Sequence, residues 1–124
     1  MSEDIVADGL NQIMNARKAG KEKIVLTRYS KLLISILALA KLKSYIKDYG
    51  LEDNKLTIEF GKLNKCKAVK PRYTVTVSGI EKYQRRYLPA KNFGILILST
   101  SKGILTDNTA KEKNIGGSLV AYMY

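Results

Sequence analysis

The sequence predicts an α+β fold of two small lobes: an α-β-α-β-β lobe over residues 1–62 and a mostly β lobe with one short helix over residues 63–124. Three observations predict it. Apolar residues recur at helical spacing in two stretches of the first half (Val6, Leu10, Ile13, Met14, and Leu32–Ala40), but later they alternate or run on as strands do. Gly61–Lys65 separates the two regimes. Ile95–Leu98 is an unbroken apolar run, the pattern of a central strand covered on both faces. With 124 residues and 45% hydrophobic content, the chain is long enough to bury a core of its own.

Ser2 is placed to cap a first helix, with Glu3 and Asp4 in its first turn, Arg17 and Lys18 in its last and Gly20 as its stop. Asn11, Asn15 and Lys18 form a polar stripe on that helix. Lys23–Thr27, with Ile24 and Val25, reads as a short strand. Ser30 caps a second helix running to about Lys43, apolar on most sides and so expected to be deeply packed. Tyr45–Tyr49 and Leu56–Phe60 read as strands about a turn at Gly50–Asn54. In the second half, Cys66–Lys70 and Tyr73–Val77 read as strands flanking Pro71-Arg72. Glu81–Arg86 reads as a loop or short helix, and Thr106 or Asp107 caps a helix to Asn114. A last strand, Leu119–Met123, follows Gly116-Gly117.

Lys and Arg total 22 against 11 acidic residues, net +11. Such a surplus is self-repelling without counter-charge and favours an acidic partner: RNA, DNA or an anionic membrane surface. A merely soluble basic protein is the plainer alternative. Residues 1–62 hold 11 basic and 8 acidic groups, and residues 63–124 hold 11 and 3, so attraction to phosphate concentrates in the second half. The longest greasy stretch, Leu32–Ala40, is far below the roughly 20 residues a membrane span needs. Met1–Asp8 carries acids where a secretory signal needs a basic start. With one cysteine, Cys66, and no histidine, there is no internal disulfide and no zinc set, which fits a reducing cytosol. Cys66 itself reads as a small apolar filler.

The segment Ser99-Thr100-Ser101-Lys102-Gly103 is the most informative. It follows a buried strand and is expected to precede a helix. Three short-reach hydroxyls, a charge and a flexible glycine suit close contact with ribose, phosphate and base edges. The same composition also makes an ordinary turn whose hydroxyls bond their own backbone, and pattern alone leaves both open. A phosphate-loop motif and a dinucleotide fingerprint are absent, and no His is present to serve as a general base. Asp107 near Lys102 is read as a helix cap, not as half of a catalytic pair. The basic-aromatic stretch Lys82, Tyr83, Arg85, Arg86, Tyr87 is a second candidate, with rings to stack on bases and guanidinium groups for phosphate. Its alternative has Tyr87 and Leu88 packed on the core and solvated charges around them. Arg85 and Arg86 are expected to point outward. Lys67, Lys70, Arg72 and Tyr73 form a third candidate, and Lys91 adds charge in the same half.

Several segments together resemble a known family: Pro71-Arg72-Tyr73, Leu88-Pro89-Ala90, Phe93-Gly94-Ile95-Leu96-Ile97, Ser99–Gly103, Ala110-Lys111, Gly116-Gly117 and Ala121-Tyr122. They look like the small-subunit ribosomal protein S-eight family, on its archaeal-like branch. Ala7–Ala16 and Ser30-Lys31-Leu32 are similar to the openings of that family's first two helices. The resemblance implies a structural, non-enzymatic protein of the cytoplasmic ribosome, with two lobes joined by an apolar interface and no cofactor. It implies primary binding to an irregular helix in the central domain of small-subunit ribosomal RNA, early in assembly, beside other small-subunit proteins. It places Ser99, Thr100, Ser101, Lys102, Gly103, Gly116 and Gly117 near RNA, and Asn15, Ser30 and Lys31 in the first lobe. The alternative partner class is general: a nucleic-acid chaperone or DNA-binding protein.

Overall fold

The computed structural model describes residues 5–90 and 93–124, with Pro71 described by its backbone alone. The expected cap at Ser2 with Glu3 and Asp4, and the charge at Lys91, lie outside the described residues. The chain forms two compact units, Met1–Cys66 and Lys67–Tyr124. The fold is α+β.

The first unit runs α1 (Ile5–Lys18), β1 (Lys23–Leu26), α2 (Lys31–Leu42), β2 (Ile46–Glu52) and β3 (Lys55–Phe60), the expected α-β-α-β-β order. Its sheet is antiparallel in the order β1-β3-β2. Ser30 caps α2 by accepting from the Leu33 N–H at 3.2 Å. Val6, Leu10 and Ile13 of α1 join Leu33, Ile36 and Leu37 of α2 and Leu26, Leu56 and Ile58 of the sheet among the buried residues. Strand β2 continues through Gly50, where a turn was expected. The reversal needs only Asp53-Asn54, both with positive φ (52° and 60°), the two-residue turn whose twist matches a hairpin. Cys66 is buried. Its N–H reaches Met14 Sδ at 3.2 Å, and burial pushes its thiol up to about 12.

The second unit contains β4 (Cys66–Val75, whose first residue closes the first unit), a 3₁₀ turn (Val77–Gly79), α3 (Ile80–Tyr87), β5 (Ile95–Thr100), β6 (Gly103–Thr106), α4 (Asp107–Glu112) and β7 (Gly117–Met123). The sheet order is β4-β7-β5-β6. Ile95–Leu98 is fully buried in β5, as the apolar run predicts. Three expectations change. Cys66–Val75 is one strand, not two around Pro71-Arg72: β4 is an edge strand, where a missing proline N–H is tolerated. Ile80–Tyr87 is a helix, so this unit has two short α-helices. Gly103–Thr106 is a strand, so the hydroxyl segment joins two strands and not a strand to a helix; four residues are too few for periodicity to tell. Among the described residues, no helix is long and apolar enough to cross a membrane.

Candidate nucleic-acid interface

The hydroxyl segment is a tight hairpin. Ser99 and Thr100 end β5, Ser101 and Lys102 form the turn, and Gly103 begins β6 opposite Thr100. The Thr100 hydroxyl donates to Gly103 O at 2.8 Å and accepts from the Lys102 N–H at 3.0 Å. Thr100 therefore holds the turn, which is the plainer of its two expected roles. The hydroxyls of Ser99 and Ser101 have no hydrogen-bond partner among the described residues, and Ser101, Lys102 and Gly103 are exposed.

On the neighbouring strand, Ser118 of β7 stands opposite Ser99. Two glycines bring that strand in. A Cβ on Gly117 would overlap the Ser99 carbonyl oxygen and lie 2.8 Å from Thr100 Cγ2. A Cβ on Gly116 would lie 2.5 Å from the Val75 carbonyl oxygen at the end of β4. Real Cβ atoms do not come so close. The pair Gly116-Gly117 thus acts first through packing: it lets the start of β7 lie against the ends of both β4 and β5. Thr76 and Ser78 follow β4 directly, are exposed, and share a hydroxyl contact of 3.2 Å. Ser99, Ser101, Lys102 and Ser118, together with Thr76 and Ser78, are therefore gathered at one end of the second sheet. The sequence reading does not reach Thr76 or Ser78, because strand register joins them to the site and no local pattern marks it.

In the basic-aromatic stretch the rings lie against the core and Arg85 and Arg86 are exposed. Tyr73, Tyr83, Tyr87, Tyr122, Tyr124 and Phe93 form a continuous row of rings, with neighbouring centroids 5.0–6.5 Å apart. Tyr73, Tyr83, Tyr87 and Tyr124 pack against a core that includes Val69, Ile80, Leu96, Leu119 and Tyr122. Burial raises the Tyr87 phenol above the ordinary tyrosine value, against the pull of the neighbouring Arg86 charge. Arg86 is exposed, with its guanidinium 5.4 Å from the Tyr73 ring and 5.3 Å from the Tyr87 ring. Tyr73 is two residues along β4 from Val75, so the docked charge lies on the strand that leads to the hydroxyl cluster. Arg85 is also exposed and pairs with Glu81 at 3.3 Å. Arg72 is exposed on β4.

In the first unit, Asn15 is exposed on α1 and Lys31 is exposed at the start of α2. Ser30 is half-buried with its hydroxyl engaged as a cap. The start of α2 lies beside the first half of α1, where Leu33 packs on Gly9 and Arg28 pairs with Asp8 at 4.0 Å. Asn15 is six residues beyond Gly9, about 9 Å along the helix, so it and Ser30-Lys31 do not form one tight cluster. Among the described residues, no three His, Cys, Asp or Glu side chains come together to hold a metal.

The family model described as Ribosomal protein S8 matches residues 4–124. The chain belongs to the ribosomal protein S8 family. Relatives in it include the small ribosomal subunit protein uS8 of Nanoarchaeum equitans, 46% identical with both chains covered completely. The uS8 protein of Methanococcoides burtonii is 42% identical, covering 98% of this chain and 97% of its own. That of Methanosphaerula palustris is 39% identical over 98% of each. All three relatives are archaeal, as the branch resemblance implied. The hydroxyl hairpin and the Gly116-Gly117 junction both lie within the span matched to ribosomal protein S8.

Proposed function

We infer that this chain is a structural, non-enzymatic component of the small ribosomal subunit, and that it holds ribosomal RNA at the hydroxyl-bearing end of its second sheet. The observation that carries the reading is the convergence there of Ser99, Ser101 and Ser118 with Lys102, on the half of the chain with 11 basic and 3 acidic residues. Such an end combines two tasks. The surplus charge draws in phosphate over long range, and the neutral hydroxyls discriminate at hydrogen-bond distance, where a ribose 2′-hydroxyl can be told from DNA. The hairpin is fixed beforehand by Thr100 and by the glycine junction, so little ordering entropy is lost on binding. Arg72, Arg85, Arg86 and Lys91 supply non-specific attraction. Asn15, Ser30 and Lys31 touch flanking backbone from the first unit. The family resemblance supports an irregular helix of the central domain as the target, early binding during assembly, and neighbouring small-subunit proteins as further partners.

The test is a salt-titrated competition. Labelled small-subunit ribosomal RNA is challenged with unlabelled RNA and with duplex DNA of the same length. The reading expects RNA to compete far better than DNA, with the preference surviving at high salt. Equal competition at every salt concentration would make the chain a general nucleic-acid binder. Crosslinking in cell extract followed by sequencing of the bound RNA identifies the target region.

A further inference from the structure

The two flanks of α3 are equipped differently. On one, Gln84 Nε2 donates to the Asp107 carboxylate, and Gln84 Oε1 accepts from Lys111 Nζ at 2.9 Å. Glu81, the one acid of this helix, pairs with Arg85 on the same flank at 3.3 Å. On the other flank stand Lys82 and Arg86, four residues apart and both exposed. Neither has a carboxylate within ion-pair distance among the described residues. Both lie instead on tyrosine rings. Lys82 Nζ is 5.7 Å from the Tyr83 ring centre, and the Arg86 guanidinium is 5.4 Å from that of Tyr73 and 5.3 Å from that of Tyr87.

Like charges at this spacing repel, and a helix of eight residues has little stability of its own to set against them. The rings offset part of the repulsion, and their packing against the core gives the two cations a fixed bed. A ring face attracts a cation but leaves most of its N–H donors without an acceptor oxygen. The donors of Lys82 and Arg86 thus remain for an oxyanion, and part of the rotamer freedom lost on gripping one is lost beforehand. The chain also says which oxyanion. Ser78, of the hydroxyl cluster, sits in the 3₁₀ turn that runs directly into α3. Ser78, Lys82 and Arg86 therefore follow one another at four-residue intervals, each about 6–7 Å along the axis. A file of cations leading away from a ribose-reading cluster matches an anion repeated along a strand, which a phosphodiester backbone is and a lone carboxylate is not.

We propose that Lys82 and Arg86 are a built contact for two phosphates of the RNA strand as it leaves the hydroxyl end of the second sheet. The inference rests on RNA being the partner, as the proposed function has it. It separates two neighbouring arginines: Arg86 grips the strand, and Arg85, already paired with Glu81, adds only to the surrounding field. It also brings in Lys82, which carries a contact of its own.

The experiment measures binding of the full chain to its small-subunit ribosomal RNA fragment at several salt concentrations. Lys82→Ala and Arg86→Ala should each weaken binding about tenfold, the scale of one charge-assisted hydrogen bond. Each should lower the slope of log affinity against log salt by on the order of one, and the double variant by about two. Arg85→Ala should lower the slope by less than half as much as Arg86→Ala. Urea denaturation is run on the same preparations. If an alanine variant unfolds early, Lys82→Gln and Arg86→Gln replace it, keeping the stem on the ring while removing the charge. The proposal is overturned if the folded variants keep the wild-type slope, as they would were this flank a protein-docking face. It is also overturned if Arg85→Ala lowers the slope as much as Arg86→Ala, since a diffuse field treats the two alike. Ser101→Ala in the same assay separates this inference from the reading it rests on. Loss of affinity there with the slopes of Lys82→Ala and Arg86→Ala unmoved sinks the α3 contact alone, and the reverse pattern sinks the hydroxyl reading alone.

Discussion

Replacing Thr100 by valine removes two hydrogen bonds and little volume. The lost bonds are the 2.8 Å donation to Gly103 O and the 3.0 Å acceptance from the Lys102 N–H. Each is worth about 0.5–1.5 kcal/mol net, and water replaces part of both in an exposed turn, so Thr100→Val should cost about 1–2 kcal/mol of unfolding free energy. Ser101→Ala is the contrasting change. Its hydroxyl is exposed and unpartnered among the described residues, so stability should move by no more than about 0.5 kcal/mol. Binding to the structured RNA target should weaken by about 1–2 kcal/mol, or roughly five- to thirtyfold, because the RNA group is left without a partner. Urea denaturation and RNA binding at several salt concentrations are measured on the same preparations. The slope of log affinity against log salt should not change for Ser101→Ala, whereas Lys102→Ala should reduce it by on the order of one. An Ser101→Ala chain that unfolds early yet binds RNA normally would refute the reasoning, as would a Thr100→Val chain of unchanged stability.

Gly117→Ala forces a methyl against Ser99 O and Thr100 Cγ2 and should destabilise by about 1–3 kcal/mol while weakening RNA binding, checked by denaturation and filter binding. Leu37→Ala, at a position 1% exposed, should cost about 2–5 kcal/mol; wild-type stability would remove Leu37 from the core. Arg85→Ala with Arg86→Ala should lower affinity for all RNAs alike and flatten the salt dependence; an unchanged slope would make both charges simply solvated. The Cys66 thiol should resist a thiol reagent at neutral pH in the folded chain. Its value near 12 exceeds the ordinary 9.0, so the folded state keeps a proton that the unfolded state loses. Its stabilising contribution is full below about pH 9 and is lost as pH rises towards 12, so unfolding experiments on Cys66→Ala should show a shallower alkaline decline.

The fold was legible wherever a long periodic segment carried its own signal. Helix α2 combines a serine cap with apolar residues on most sides, and Ile95–Leu98 is a buried strand in any reading. Pro71 misled because a proline break and an edge strand look alike until the sheet order is known. Ile104-Leu105 misled because a four-residue strand carries too little pattern to be told from a helix start. At the candidate site, Ser99–Gly103 was visible as a segment, but the division of labour within it was not. Thr100 differs from Ser99 and Ser101 only through the hairpin's geometry. Ser118, Thr76 and Ser78 reach the same sheet end through register and through two glycines, whose need for close approach no local composition reveals. The Gln84–Asp107 hydrogen bond was hidden for the same reason, since Gln84 lies on another helix. The ribosomal assignment came from ordered motifs along the chain, and charge alone indicated only an acidic partner.

The central claim is that RNA meets the end of the second sheet where the hydroxyls gather. An ¹⁵N–¹H NMR map of the full chain, titrated with its small-subunit ribosomal RNA fragment, tests it most directly. The account predicts that the largest perturbations fall on Ser99–Gly103, Gly116–Ser118 and Thr76–Ser78, with smaller ones at Arg86 and Lys31. Perturbations concentrated away from that end, with Ser99–Gly103 unmoved at saturation, would contradict it.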